Sequence, residues 1–383
     1  MLKAYKFRLY PNDEQKILIN KTFGCSRYIY NYFLNEAQKY YKENKKMKSA
    51  YEMCNELKSL QEITPWLKEV DSCSLRTAIF DLEDAYKSFF QKRSKYPNFK
   101  NKYSKQSYRT NNMTSEYKGK SYNSIEINLK ERMIKLPKLK EVKIRGYRNI
   151  EEIRGRVINA TVTKDNTNRY YASVLYEQEE IIRENRNQSI IGIDLGIKDL
   201  VITSDGEKYS NEKVIIKYEK RIKHEQRNLM RKSKYSNNYK KAKERLSTLY
   251  RKLKNTRNYY IHKITKKLTR ENKVIVVETL NIKEMSKNRN ISKLILDASL
   301  SEIQRQLEYK SRSHDCKYYK IEEYYPSSQI CNVCNHRNEK VRDLSIREYL
   351  CDECGTLLDR DINASINIMN KGLEKYIREI VVA

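Results

Sequence analysis

Glycine is scarce in this chain, at 9 of 383 residues. A strand reading GIDLG also opens ATP-using folds of the actin and sugar-kinase type, but those need a second glycine-rich phosphate loop after a later strand, and none is found. Histidine is scarcer still. His224, His262, His314 and His336 stand in polar or basic surroundings, without the spacing of a nucleophile's base or a metal site, and read as surface or packing residues. No run approaches the roughly 20 apolar residues of a membrane span. The N-terminal MLKAYKFRLYPNDEQ lacks the apolar core of a signal peptide, so the expected location is the cytoplasm, with no membrane partner. Acid is short as well. The chain has 49 Asp and Glu against 79 Lys and Arg, net +30, which calls for a polyanionic partner.

What is present is enough apolar residue, 39%, to fill the cores of two or three domains. The basic charge is concentrated. Residues 211–270 hold 21 basic and 4 acidic residues, and residues 91–120 hold 9 and 1. Both stretches are interleaved with tyrosine: Tyr96, Tyr103, Tyr108, Tyr235, Tyr239, Tyr250, Tyr259 and Tyr260. Cations take phosphates and rings take bases, which favours nucleic-acid binding over a merely solvated face.

Three segments carry an acid where the pattern is otherwise apolar. IIGIDLGIKDLVITSD, from Ile190 to Asp205, reads as a β-hairpin with Asp194 on its first strand. KVIVVE, from Lys273, is a strand ending in Glu278. Asp359-Arg360-Asp361 precedes INASINIMNKGL, whose Ile362, Ile366, Met369 and Leu373 fall near helical spacing. Each acid alone has an ordinary reading as a solvated strand end or a helix cap. Together, on strand, strand and helix start, Asp194, Glu278 and Asp361 suit two Mg²⁺ ions about 3.5–4 Å apart, hard cations with oxygen ligands that promote phosphodiester hydrolysis.

Along the chain, LKAYKFRLY is a strand that stops at Pro11, and residues 12 to about 95 form a helical module. Cys25, Cys54 and Cys73 there have no ligand spacing and read as packing thiols of a reducing compartment. YPNFKNKYSKQSYRTNN is loop-like. Short β-branched strands from Ser124 (SIEINL, MIKLP, VKIRG, RVINATVTK, YYASVLYE) suggest a small barrel that the first strand joins, with the helices inserted into it. Glu177 to Asn187 reads as a linker. Beyond it, strand, strand, long basic helix, acid-bearing strand, helix (ISKLILDASLSEIQRQLEYKSR), strand and acid-bearing helix is the order of a ribonuclease-H-like sheet.

Cys331-x2-Cys334 and Cys351-x2-Cys354 are separated by 16 residues. Each pair offers two thiolates from one turn, and four close a tetrahedron around a structural Zn²⁺ with no position left for water. The thioredoxin-like context of a redox CxxC is absent. Asn335, His336, Arg337, Lys340 and Arg342 would let this module touch nucleic acid.

GIDLGIKDL, VVETLNIK, YPSSQICNVC, CDECGTLLDRDINASIN, LKAYKFRLYPNDEQ, YPNFK and KLPKLKEVKIRG resemble the transposon-encoded TnpB (OrfB) proteins, relatives of the compact type V CRISPR effectors. The match runs over nearly the whole chain. It implies an α/β chain with all-α and small β-barrel modules: a barrel of residues 1–11 and 116–180, a helical recognition insertion of 12–115, a RuvC-type ribonuclease-H-like nuclease domain of 186–326 and 355–383, and an inserted zinc ribbon of 327–354. It implies a transposon-encoded, RNA-guided DNA endonuclease, a monomer with its guide RNA, acting on double-stranded target DNA beside a short flanking motif. By motif, Asp194, Glu278 and Asp361 (the second Asp of DRDINA) carry over as the catalytic acids that hold Mg²⁺, and Cys331, Cys334, Cys351 and Cys354 as the zinc ligands. Two departures leave the ligands intact: CNVCNH lacks the usual Gly after the second Cys, and Thr279 stands where an Asp is common. Some relatives have lost the acids and act as repressors, so the rival expectation is a nucleic-acid-binding regulator without cleavage. A recombinase-type transposase would need a serine or tyrosine nucleophile arrangement that the motifs do not supply.

Overall fold

The computed structural model describes residues 1–117, 120–146, 153, 155–179, 184–185, 187–288, 291–343 and 346–382. The chain divides into two compact units, Met1–Glu179 and Glu180–Ala383. The expected linker at 177–187 lies partly outside the described residues.

The first unit begins with β1 (Leu2–Tyr10), whose alternate residues Tyr5, Phe7 and Leu9 are buried. Pro11 ends the strand, and Asn12 forms a capping box with Gln15 that starts α1 (Asp13–Asn44). The Gln15 amide also donates to the carbonyls of Leu139 and Glu141, so the cap ties the helix to the strands. Next come α2 (Ala50–Ile63), a 3-10 turn at Pro65–Glu69, and α3 (Ser72–Phe90), packed around Ile29, Phe33, Leu57, Leu75, Ile79 and Leu82.

The strands are β2 (Gln106–Asn111), β3 (Thr114–Tyr117), β4 (Lys120–Asn123), β5 (Glu126–Asn128), β6 (Met133–Leu136), β7 (Lys140–Arg145), β8 (Arg156–Lys164) and β9 (Tyr170–Glu177). Seven of them form one sheet in the order β2-β8-β9-β1-β7-β6-β5, and β3-β4 is a separate hairpin. At the base of the β3-β4 hairpin, Ser124 N donates to Met113 O (2.9 Å) and Met113 N to Ser124 Oγ (2.8 Å), one rung beyond the Thr114–Asn123 pair. β2 falls in a stretch expected to be a loop of the helical range. It pairs with β8 from Gln106 to Asn111, and it buries Tyr108 and Thr110 in the sheet's core. Polar composition hid the strand because only its inward residues must satisfy the core. Tyr108 is therefore a core residue and not a base-binding ring.

The second unit is built on β10 (Ile190–Asp194), β11 (Asp199–Thr203), β12 (Lys208–Ser210), β13 (Val274–Val277) and β14 (Lys317–Lys320), in the order β12-β11-β10-β13-β14. The β10-β11 and β11-β12 pairs are antiparallel, and β10-β13 and β13-β14 are parallel. Between β12 and β13 lie α4 (Val214–Met230) and α5 (Asn237–Glu271). After β13 come α6 (Ile282–Met285), α7 (Ser292–Ala298) and α8 (Leu300–Ser313). The single helix expected over 291–312 is broken at Ser299, which adopts a left-handed φ of 52°. The Arg257 guanidinium holds that junction, donating to Asp297 Oδ1 (3.1 Å) and Ser299 Oγ (3.3 Å).

β13 is buried throughout because both faces of the sheet are covered. Ile275 and Val277 pack with Ile191, Ile193 and the helices α5 and α8. Val274 and Val276 face the other way, with Ile190 and Ile368 of the last helix, α9 (Arg360–Val382). The cysteine module carries a short hairpin, β15 (Glu348–Leu350) with β16 (Leu357–Asp359), which runs past the expected limit of 354 up to the start of α9.

Candidate active site and cysteine centre

Strand alternation decides where the acids point. On β10, Ile190 and Gly192 lie on the α9 side, so Asp194 does too; on β13 the same parity takes Val274 and Val276 to Glu278. The register sets Gly192 against Val276 and Ile193 against Val277, and continuing it brings Asp194 beside Glu278. A Cβ on Gly192 would lie 2.0 Å from the Ser365 carbonyl oxygen and 2.6 Å from Met369 N. Bare glycine thus lets α9 rest on the β10 backbone. One turn before Ser365, Asp361 stands at the start of that helix.

The three carboxylates are half-buried. Burial pushes Asp194 up to about 6, with the charge of Asp361 adding to the rise and a hydrogen bond with Glu278 opposing it. Glu278 is raised well above its usual value, first by burial and then by the charge of Asp194. Burial and neighbouring like charge thus favour the protonated form at this pair. The Leu195 amide faces Glu278 Oε1 at 3.4 Å, and Gln304 Nε2 donates to the Glu278 carbonyl at 3.0 Å. A guanidinium, Arg347 Nη1, lies 3.8 Å from Asp361 Oδ2.

The two aspartates of DRDINA divide the work. Asp359 Oδ1 accepts from the amides of Asp361 (3.0 Å) and Ile362 (3.2 Å), and its other oxygen takes Lys208 Nζ at 2.6 Å. Asp359 is the helix cap. That leaves the Asp361 side chain to the sheet, while buried Arg360 donates to the carbonyls of Asp343 and Ile346 in the cysteine module.

The cysteines come together as their spacing predicts. All four Sγ atoms lie within 4.8 Å of one another, the only such group of three or more potential ligands among the described residues. The Cys331–Cys354 and Cys334–Cys351 sulfur separations are 3.6 and 3.5 Å. A tetrahedral zinc with bonds of about 2.3 Å requires sulfurs about 3.8 Å apart, so the donor set fits. Hydrogen bonding from the Thr356 hydroxyl and then its amide pulls Cys354 down to about 6, while at Cys334 a lowering hydrogen bond from the His336 backbone is outweighed by burial and the neighbouring thiols, which hold it up. The three carboxylates do not all close to within that 4.8 Å limit.

Sequence reasoning missed the struts of this arrangement. Asn363 Nδ2 donates to Ile330 O (2.7 Å), and Asn367 Nδ2 donates to Ser327 O (2.8 Å) and Ile330 O (2.6 Å). These two asparagines clamp the cysteine module onto α9. The signal was available: in INASIN they recur at four-residue spacing, among residues that otherwise pack.

The basic stretch 211–270 forms the antiparallel pair α4 and α5. An open groove of about 880 Å³ between them is lined by Lys220, Arg221, His224, Lys241, Arg245 and Lys252 among others. Tyr235, Tyr250 and Tyr259 are exposed on the same pair, and Tyr96 and Tyr103 on the other basic stretch, whereas Tyr239 and Tyr260 are only partly so.

The chain matches three protein families: "Probable transposase" (OrfB, IS605 type) over residues 173–289, "Helix-turn-helix domain" (OrfB, IS605 type) over 1–46, and "Cas12f1-like, TNB domain" over 301–368. Residues 1–46 here fold as strand β1 and the single helix α1. The matches set the chain among OrfB-type transposase proteins, with its cysteine module inside the stretch that matches a TNB domain. The chain is 32% identical to "Putative RNA-guided DNA endonuclease" of Streptomyces pristinaespiralis, over 97% of this chain and 89% of that one. It is 30% identical to "Putative RNA-guided DNA endonuclease InsQ" of Escherichia coli K12, over 97% and 92%. It therefore belongs to the TnpB (OrfB) family. The solved structure of the mini-RNA-guided endonuclease CRISPR-Cas_phi3 shares its fold, with a TM-score of 0.51 and 11% identity over 97% of this chain and 92% of that one.

Proposed function

We propose that this chain is a guide-RNA-dependent DNA endonuclease of a transposon, working in the cytoplasm as a monomer with its RNA. The carrying observation is that Asp194 and Glu278 end neighbouring parallel strands on the face where α9 begins with Asp361. An antiparallel three-strand meander followed by two parallel strands, in the order β12-β11-β10-β13-β14, supports a ribonuclease-H-like domain of RuvC type. The names of the relatives support RNA guidance and DNA as target.

In this reading Asp194, Glu278 and Asp361 hold two Mg²⁺. Magnesium held there would supply Lewis-acid stabilisation of the charge that develops at the phosphate. The chain's own residues tune and position the site. Burial raises the proton affinity of Asp194 and Glu278, so protons would compete with a cation for this pair and metal affinity would rise with pH. Asp359, fixed by Lys208, holds the first turn of α9 so that Asp361 meets the strand ends. The α4–α5 groove takes phosphates by charge, and guide pairing supplies the sequence specificity. Zinc on the four cysteines folds the module that Arg360, Asn363 and Asn367 fasten to α9. Residues 1–179 form the barrel and the helical recognition module. The test is Asp194→Ala: cleavage is abolished while guide and target binding persist. Loss of binding together with cleavage removes the assignment, as does cleavage that survives.

A further inference from the structure

One face of α1 carries Lys21, Gly24, Tyr28 and Tyr32, three and four residues apart. Opposite stands the 3-10 turn Pro65–Glu69 with the chain's single tryptophan, Trp66. Between them is a cavity of about 380 Å³ lined by Lys21, Gly24, Cys25, Trp66 and Glu69, within the range of about 300–1,000 Å³ typical of ligand pockets.

Trp66 is 42% exposed, a large apolar ring left open to solvent at a cavity wall. Its indole meets Tyr28 edge-on, with centroids 5.1 Å apart, and Tyr28 stacks on Tyr32 at 6.2 Å. Tyr32 packs back onto the helical core, while Trp66 and Tyr28 leave aromatic surface exposed, the kind of surface on which unpaired bases stack. The floor is Gly24. Glycine is the poorest helix former after proline, yet a Cβ there would meet nothing within 4 Å. Among the described residues no packing uses its smallness; what its smallness does is keep the cavity open. Cys25, at the base, is a buried thiol that burial pushes up to about 11, so it offers no nucleophile. At the rim Lys21 Nζ and Glu69 Oε2 lie 2.6 Å apart, each half exposed. This sets one cationic donor beside a carboxylate with two acceptor oxygens.

We propose that this pocket receives one unpaired guanine of a single-stranded nucleic acid. Guanine alone among the bases has two adjacent donors, N1–H and N2–H, beside one acceptor, O6. The donors match the two oxygens of Glu69, O6 matches the Lys21 ammonium, and the base face lies on Trp66. The proposal rests on the reading that this chain binds nucleic acid, but not on guided cleavage.

Because Trp66 is the only tryptophan, its fluorescence reports the pocket directly. The full chain, stripped of nucleic acid with high salt, is titrated without Mg²⁺ with a short oligouridine carrying one central guanosine, and with the same oligomer all uridine. The guanosine probe quenches Trp66 and binds at least about tenfold more tightly, the scale of one lost base contact. Gly24→Leu, a better helix former whose side chain fills the cavity, keeps the reporter but abolishes the quenching. Glu69→Gln keeps quenching but erases the preference for guanosine. Equal quenching by the two probes, or undiminished quenching in Gly24→Leu, overturns the proposal. Cleavage is not read, so a failed pocket leaves the nuclease reading standing, and an inactive triad leaves the pocket standing.

Discussion

Gly192→Ala is the smallest change that should separate the acids. The added methyl would lie 2.0 Å from Ser365 O, 2.6 Å from Met369 N and 2.7 Å from Met369 Cβ, where ordinary contact begins at 3.4 Å. Two of these neighbours are helix backbone, which cannot rotate away. α9 must therefore withdraw by about 1.4 Å, or β10 must bend, and overpacking of this kind typically costs about 1–3 kcal/mol. For a unit of about 200 residues, a loss of about 2 kcal/mol lowers Tm by roughly 4–8 °C. Cleavage should suffer more than stability. The withdrawal moves Asp361 away from Asp194, and misplacement of a reacting group by about 1 Å can cost about a hundredfold in rate. Gly372→Ala is the comparison. Its methyl meets Val276 Cγ1 at 2.3 Å and Cγ2 at 2.4 Å, side-chain atoms with some freedom to repack, and it lies far along α9 from Asp361. It should lower Tm with a smaller effect on rate. Thermal melts and single-turnover cleavage decide the matter. Gly192→Ala with unchanged Tm and a rate within about twofold of the parent would refute the claim that β10 backbone contact sets the site.

Two further outcomes follow from the proposed metal sites. Protein purified without chelator should contain one zinc per chain by elemental analysis, and Cys351→Ser should lose it and expose residues 327–359 to protease; under about half an equivalent in the parent contradicts the four-thiolate site. In metal-free protein, Asp194 is held at about 6, above its ordinary 3.8. Its contribution to stability is then fully present below pH 3.8 and lost as pH rises through about 6, by as much as a few kcal/mol. Denaturant melts should show that loss, Asp194→Asn should remove it, and a pH-independent difference between the two proteins would contradict the burial of this carboxyl.

Most of the second unit was legible because its signals are local. IIGID and KVIVVE are apolar runs with an acid at the end, and period-two alternation alone puts both acids on one face once the strands pair. The CxxC spacing is a turn geometry that survives any context. Long-range constraints were not legible. That Asp359 rather than Asp361 caps α9 depends on Lys208, 151 residues away. The break at Ser299 depends on Arg257 reaching across from α5, and β2 is a strand only because β8 lies beside it. Gly192 read as an ordinary strand residue, since nothing nearby announces that a helix backbone will rest on it.

The central claim is tested most directly by sequencing the RNA that co-purifies with the protein and offering the matching DNA duplex in Mg²⁺. The account predicts a discrete RNA with a variable end, and cleavage of the matched duplex that is lost in Asp194→Ala. Heterogeneous RNA, with no cleavage of any duplex its sequences specify, would contradict it and leave the +30 charge as unspecific affinity for nucleic acid.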